Sequence, residues 1–214
     1  MIFDTISEPI ARRVTAGLVR IGHVLRSRAW KGAGPAGVTP TQGHALGLLR
    51  DAPEGLPLGI VAGRLGVSAP TASDAMNTLV AKGLVLKAPG AKPRSISLRL
   101  TPTGEALADA TRDWPAFLTG AVETLDPAEQ AAFLRMLVKI IRAMQQNGDI
   151  APQKMCVTCR YFRPNVHEGA SAPHHCAFVD APFGDRHLRL NCPEQEDAGE
   201  ETQAANWRRF APAA

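Results

Sequence analysis

The sequence predicts a mainly α-helical protein of the α+β class, with a small loop-rich module towards its C-terminal end. Three observations favour this class. Apolar residues recur at helical spacing in two long segments. Several shorter helix-forming segments and a pair of strand-forming segments lie between these two. All four cysteines of the 214 residues fall after position 155. We therefore expect a helical domain over residues 1–147, a cysteine-rich module over 151–197 and an acidic, flexible tail over 198–214.

Two helices are expected before residue 51. The first covers residues 4–30, and its apolar side chains recur every three or four positions: Ile6, Ile10, Val14, Leu18, Ile21 and Leu25. The segment KGAGPAG ends this helix, because glycine and proline break helices. The second helix begins at Pro40, since Thr39 is a suitable N-cap and proline suits the first helical position.

The central segment predicts two helices joined by a tight turn. A short helix is expected over residues 58–65, and a turn begins at Gly66. A longer helix then runs from Ser68 to about Lys82. Ser68 can cap this helix, and Gly83 can end it in the left-handed conformation that glycine tolerates.

A two-stranded hairpin follows these helices. The strands are expected in LVLKAP and SISLRLT, with GAKPR as the connection between them. In the second strand Ile96, Leu98 and Leu100 alternate with polar residues, which is the period of a strand with one buried face.

Two more helices are predicted beyond the hairpin. One starts near Thr101 and runs towards Trp114, where Pro115 ends or kinks it. The other has Asp126 as N-cap and Glu129 at the capping-box position. Its apolar face consists of Leu134, Leu137, Val138, Ile141 and Met144. Helical periodicity is lost after QNGDIAPQ, and PEQEDAGEETQ predicts a solvated segment.

A helix, a tight turn, a second helix and a hairpin form a winged helix–turn–helix, which places one helix in the DNA major groove. Over residues 5–147 the chain resembles the MarR family of bacterial transcriptional regulators, through LGIVAGRLGVSAPTASDAMNTLVAKGLV, the hairpin and LRLTPTGEAL. The resemblance implies a homodimer, joined through its long N- and C-terminal helices, that binds double-stranded DNA at a palindromic operator. Because the sequence has no secretory signal, we expect this protein in the cytoplasm. A repressor that responds to a small-molecule effector is the expected role.

Polar side chains on the second helix of this motif and on the hairpin are the candidate DNA contacts. Hydroxyl and amide groups can bond base edges or phosphates, and basic residues of the hairpin can reach phosphates or the minor groove. The candidates are Ser68, Thr71, Ser73, Asn77, Thr78, Lys92 and Arg94. Two positions depart from the family pattern: Asp74 stands where a basic residue is common, and Lys92-Pro93-Arg94 replaces D-x-R. In the alternative interpretation of these residues, Ser68 and Thr71 are ordinary capping residues and Arg94 is a solvated turn charge. Separately, a winged helix can serve as a protein-interaction scaffold that does not bind DNA.

The four cysteines have the spacing C-x2-C-x16-C-x15-C, at Cys156, Cys159, Cys176 and Cys192. Four thiolates form a closed tetrahedral zinc site, and the spacing fits the general zinc-ribbon pattern. Metal binding can supply the folding free energy that this aliphatic-poor segment lacks. A [4Fe–4S] cluster also takes four cysteines, and the first two gaps together with CRYF resemble high-potential iron–sulfur proteins. Redox-active thiols are the third interpretation. The expected metal centre is zinc, in a structural or a sensory role.

Histidines add alternatives to this ligand set. Four of the six histidines of the chain lie in the module. His174, His175 and His187 can each replace a thiol or donate a hydrogen bond to a sulfur, and a packing or surface role is the alternative for each. A catalytic zinc site is not favoured, because H-x-E with P-C-x-x-C does not occur, and we therefore expect no enzyme.

Charge and hydropathy limit the classes of partner that the chain can have. Residues 1–150 contain 17 Lys and Arg against 12 Asp and Glu, whereas residues 151–214 contain 7 against 8. The basic excess of the first portion suits a polyanion such as DNA. No apolar run approaches the 18 or so residues of a membrane span, and MIFDTISEPIARRV lacks the pattern of a secretory signal. The sequence therefore predicts no membrane partner.

Overall fold

The structure is a computed structural model that describes residues 7–34, 36–90, 95–111, 116–169 and 171–211. The chain divides into two compact units, residues 1–119 and residues 120–214, which we call the first unit and the second unit. The division lies well before residue 147, where the sequence places it. The reason is that the helix ending at Gln146 contributes its apolar side chains to the core of the second unit.

The first unit has the predicted order of helices and strands. Its elements are α1 (Ile10–Ala33), α2 (Pro40–Arg50), α3 (Leu58–Leu65), α4 (Ala69–Ala81), β1 (Val85–Pro89), β2 (Ile96–Leu100) and α5 (Pro102–Thr111). The sequence does not predict the next helix, α6 (Ala116–Val122), which crosses the boundary between the units. The expected end of α5 at Trp114 and Pro115 lies outside the described residues.

Capping residues set the helix ends of the first unit as the sequence predicts. Thr39 forms a capping box with Gln42 at the start of α2, and the Ser68 side chain accepts a hydrogen bond from a backbone N–H in the first turn of α4. Gly66 and Gly83 have φ angles of 65° and 68°. This left-handed conformation, which glycine adopts without steric cost, ends α3 and turns the chain from α4 into β1.

The hairpin pairs β1 antiparallel to β2, from Val85 opposite Leu100 to Pro89 opposite Ile96. The predicted alternation fails at its outer end, where the Ile96 side chain is 58% exposed. Ser97 is buried instead, because the segment around Gly55 covers the other face of β2 and Ser97 Oγ donates to the Glu54 carbonyl at 3.4 Å. A side chain at Gly55 would collide with Ser97, so glycine is required at this close approach.

The core of the first unit lies between α2, α3, α4 and the hairpin. Its largest fully buried side chains are Leu46, Leu49, Val61, Met76, Leu79 and Val85. These residues are the inward positions of short amphipathic helices, so burial of their apolar area orients the outer faces of α3 and α4. The winged helix–turn–helix predicted from the sequence is confirmed.

The second unit joins one long helix to a small sheet and a C-terminal helix. Its elements are α7 (Pro127–Gln146), β3 (Phe162–Arg163), β4 (His174–Cys176), β5 (Ala181–Phe183) and α8 (Glu200–Phe210), with 3₁₀ turns at Cys156–Thr158 and Asp185–His187. The strands form an antiparallel sheet in the order β3-β4-β5. None of the helices that the structure describes combines the length and apolar character that a bilayer crossing requires.

The core of the second unit corrects the expectation of a flexible tail after residue 198. Phe210, the last residue of α8, is fully buried, and Trp207 packs against the same cluster. The charges of this segment suit a helix, because Glu200 and Glu201 lie at its positive N-terminal end and basic residues lie in its last turn. The remaining core side chains come from α7 and from the cysteine-rich segment: Val138, Met155, Val157, Cys159, Phe162 and Leu188.

Candidate nucleic-acid interface and thiol pocket

α4 presents a polar face to solvent, and its opposite face is anchored in the core. The inward side chains Ala72, Ala75, Met76 and Leu79 are buried. Of the predicted DNA-contacting residues on this helix and at its N-cap, Ser68, Thr71, Asn77 and Thr78 are exposed and Ser73 is half-buried. The predicted set therefore shares one accessible face, on which Asp74 is also exposed.

Local hydrogen bonds orient several of these polar groups. Ser68 Oγ lies 2.8 Å from Thr71 Oγ1 and accepts from the Thr71 backbone N–H at 3.3 Å, so Ser68 is the helix cap that the alternative interpretation describes. Thr78 Oγ1 donates to the Asp74 carbonyl at 2.9 Å. These exposed hydroxyls still carry lone pairs that can accept further hydrogen bonds.

A basic residue absent from the sequence prediction joins this face. Lys87 on β1 donates from Nζ to Asn77 Oδ1 at 3.1 Å, and Asn77 Nδ2 donates to Ser73 Oγ at 3.5 Å. The hairpin register, with Lys87 opposite Leu98, places this ammonium group beside α4. A lysine in the strand that directly follows α4 is the signal that could have identified it. The predicted hairpin contacts Lys92 and Arg94 lie outside the described residues and stay predictions.

The second unit brings all four cysteines to one cavity of about 290 Å³. Cys156 and Cys159 lie at the two ends of a 3₁₀ turn, Cys176 ends β4, and Cys192 belongs to the loop before α8. All four thiols are free. The rest of the lining is mainly apolar and aromatic, and it includes Tyr161, Phe162, Phe178, Val179 and Phe183.

The thiols share a cavity without converging on one point. Among the described residues, which include all four cysteines, no three His, Cys, Asp or Glu side chains are grouped so that they could hold one metal ion. The zinc centre expected from the spacing therefore has no preformed tetrahedron here, and its identity stays a prediction.

Hydrogen-bond donors surround the sulfur atoms. The Arg189 backbone N–H donates to Cys156 Sγ at 3.3 Å, and the Tyr161 backbone N–H donates to Cys159 Sγ at 3.5 Å. The Arg189 guanidinium lies 3.7 Å from Cys192 Sγ. Burial raises the pKa of the Cys156 thiol to about 11, against the opposing effect of the Arg189 hydrogen bond. A bound cation would favour the thiolate at this position.

The candidate histidines have separate environments. His174 is fully buried, accepts from the Asn165 backbone N–H at Nδ1 over 3.2 Å, and donates from Nε2 to Asp185 Oδ1 over 2.9 Å. Burial lowers the pKa of His174 against the opposing effect of the Asp185 hydrogen bond, which favours the neutral imidazole. His175 Nε2 lies 3.1 Å from Asp180 Oδ1. Only His187 of the three lines the cavity in the described part of the chain.

Comparisons with known proteins agree with this fold. Residues 44–89 match the IclR helix-turn-helix domain. The MepR–DNA complex of Staphylococcus aureus is similar at 25% identity and a TM-score of 0.54, over 60% of this chain and 96% of that one. Sco5413, a MarR family transcriptional regulator from Streptomyces coelicolor, is similar at 22% identity and a TM-score of 0.53, over 68% of this chain and all of that one. No curated protein matches the chain. The chain therefore has the winged helix–turn–helix fold of transcription regulators, a class whose members are generally not enzymes.

Proposed function

We propose that this protein is a transcription regulator that binds double-stranded DNA as a homodimer. The observation that carries the proposal is the accessible polar face of α4, held outward by a buried apolar face and flanked by Lys87. An α-helix about 10–12 Å across fits the major groove, which is about 12 Å wide. The similarity to MepR, which has been solved in complex with DNA, supports the same use of this fold.

The side chains on this face divide into two kinds of contact. Asn77, Ser73 and Thr71 are the proposed base-reading groups, since amides and hydroxyls can bond base edges. Ser68, Thr78 and Lys87 are proposed to position the helix on phosphates, and Lys92 and Arg94 to act from the wing. Asp74 can accept from a cytosine amine and repels phosphate, so it restricts the docking position rather than adding affinity.

Exposed apolar side chains on two helices support a homodimer. On α1 they recur at helical spacing, at Ile10, Val14, Leu18 and Ile21, with exposed fractions between 36% and 70%. On α7 they are Met136, Ile140 and Met144, each four residues from the next. Large apolar side chains exposed in a row mark interaction surfaces, and a symmetric pair of α4 helices would read a palindromic operator.

A repressor that a small molecule releases is the proposed mode of regulation, as the MarR resemblance implies. A groove of about 980 Å³ within the first unit can accept such an effector. It is lined by parts of α1, α2 and α3, including Trp30 and Leu65. Binding there would act by favouring one spacing of the two α4 helices over another.

The test is DNA binding by the full-length protein on fragments from around its own gene. We expect protection of a palindrome whose half-site centres lie about 10 base pairs apart, with affinity that falls as salt rises. Footprinting measures the protected sequence, and fluorescence anisotropy measures the affinity at each salt concentration. Equal binding to all sequences would leave only a nonspecific DNA-binding protein, and no binding at moderate salt in any metal state would favour the protein-interaction scaffold.

A further inference from the structure

We propose that Cys156, Cys159, Cys176 and Cys192 hold one [4Fe–4S] cluster per chain in the cavity that they line. The cavity of about 290 Å³ gathers all four thiols of the chain although they come from a turn, a strand and a loop. This inference does not rest on the proposed DNA binding, because every residue that carries it belongs to the second unit.

The grouping of the thiols is the observation that favours a cluster over a single ion. Zinc binds thiolate sulfur at about 2.3 Å, which requires four sulfurs about 3.8 Å from one another around a tetrahedron. No three of the described His, Cys, Asp or Glu side chains are grouped so that they could hold one metal ion, yet all four cysteines line one cavity. A cubane cluster takes one thiolate on each of its irons and so spreads the four ligands around a larger body. The arrangement therefore favours a cluster.

The walls of the cavity suit an iron–sulfur centre. Phe162 is buried against Phe183 at a ring-centroid distance of 5.9 Å, and Tyr161 meets Phe178 edge to face at 5.5 Å. Aromatic walls limit access of water and oxidants to a cluster and lower the local dielectric constant. A single zinc ion in a closed structural site needs no such cavity around it.

Donors to sulfur are already in place around the cavity. The backbone N–H groups of Arg189 and Tyr161 donate to Cys156 and Cys159, and hydrogen bonds of this kind stabilise ligating thiolates and tune cluster potentials. The Arg189 guanidinium, 3.7 Å from Cys192 Sγ, offsets part of the negative charge of the thiolates. Cys192 Sγ also lies 3.3 Å from Glu194 Oε2. Once this thiolate binds iron, Glu194 retains Arg189 as its partner at 3.4 Å.

The first test is the metal and sulfide content of full-length protein purified without oxygen. We expect a brown protein with about four iron and about four acid-labile sulfide per chain, and a broad visible absorption band. One zinc per chain in a colourless protein, or no uptake of iron and sulfide on anaerobic reconstitution, would overturn the proposal. DNA binding is measured on the same sample, so a cluster-containing protein that ignores DNA would contradict only the proposed function.

Variants then assign the ligands. Each of the four Cys→Ser changes should lower iron and sulfide content to a small fraction of the wild-type value. His187→Ala should keep the cluster, and His167→Ala is the matched control, since His167 belongs to the same module but does not line the cavity. Loss of iron in His187→Ala together with full iron in any one Cys→Ser variant would replace the four-cysteine set by three cysteines and a histidine. Circular dichroism identifies variants that fail to fold. The iron and sulfide content of the wild-type protein tests for the cluster even if a variant is misfolded.

Discussion

At the scale of single residues, the hydrogen bonds on the α4 face bear directly on how DNA would be read. In the free protein Asn77 uses both polar atoms of its amide, one towards Lys87 and one towards Ser73. Base contact must exchange these bonds for new ones, so the net gain is smaller than the strength of an isolated hydrogen bond. The pairing also holds the amide on the exposed side of the helix before DNA arrives, which reduces the entropy lost on binding.

Separate substitutions of this pair should separate specificity from affinity. Asn77→Ala should cost about 1–3 kcal/mol on the preferred operator and relax base preference, because an amide can read a base edge. Lys87→Ala should weaken binding to all sequences about equally and reduce the salt slope by about 1, because one phosphate contact is lost. Anisotropy titrations at several salt concentrations measure both effects.

Lys31→Ala is the control for the lost positive charge, since Lys31 is an exposed lysine of α1 that does not belong to the proposed DNA-contacting set. It should leave affinity and salt slope nearly unchanged. If all three variants lose affinity equally, overall charge and not the α4 face determines binding.

His174 lies among cysteines whose spacing resembles a metal site, yet its role is structural. Its ring is surrounded by Phe162, Phe183 and Phe210 at centroid distances of 5.4 to 5.7 Å, and both ring nitrogens have partners. His174→Phe should preserve the ring packing but leave the Asn165 N–H without its acceptor. We expect about 1–3 kcal/mol lower free energy of unfolding for the second unit, measured by hydrogen exchange in urea. An unchanged free energy would contradict this role, and the exposed His167→Ala change is the comparison.

At the scale of elements, α8 is attached to α7 by two arginines that lie over aromatic rings. Arg135 lies 4.3 Å from the centroid of Phe210, and Arg142 lies 5.0 Å from that of Trp207. Arg135 also pairs with Asp185 at 2.8 Å, which connects both helices to the 3₁₀ turn after β5. Burial lowers the pKa of Arg142, and the facing indole ring offsets part of the cost of burying its charge.

The burial of Phe210 makes α8 a structural part of the second unit. Phe210→Ala should lower its free energy of unfolding by about 3–5 kcal/mol, because a fully buried phenyl ring leaves a cavity. Val166→Ala removes apolar atoms at a site that is 45% exposed in the same unit and should have little effect. Hydrogen exchange of the second unit at increasing urea concentrations measures the change. Equal stability of the two variants would mean that α8 does not belong to the core.

The sequence predicts the elements whose signals are local and misses those that depend on tertiary contacts. Caps at Thr39, Ser68 and Asp126 have fixed residue preferences, so the helix starts follow from composition alone. Strands of two or three residues, such as β3, are too short to show a period. In α8 the charged residues obscure the spacing of Trp207 and Phe210, and the Lys87–Asn77 contact depends on a hairpin register that no local pattern specifies.

At the scale of the whole molecule, the proposed homodimer would bury apolar surface that the single chain leaves uncovered. Val14 on α1 is 51% exposed. Val14→Asp should raise the dimer dissociation constant on the order of a hundredfold, because a two-fold interface would bury an unpaired carboxylate from each subunit. Light scattering coupled to size exclusion measures the mass.

Thr15→Asp adds the same charge one position along the helix, where an exposed hydroxyl already donates to the Ala11 carbonyl. This variant should remain dimeric. A Val14→Asp protein that remains a dimer at low concentration would remove α1 from the interface, and a monomeric wild type would contradict the homodimer itself.

Because the two units have separate cores, they can fold at different times during synthesis of the chain. All buried residues of the first core lie between positions 38 and 108, so this unit can fold while the ribosome is still adding the rest. The second core extends from Val138 to Phe210. At about 5–20 residues per second, the apolar face of α7 waits roughly 4–14 seconds for its last partner. All four thiols emerge within that interval, before α8 completes the core.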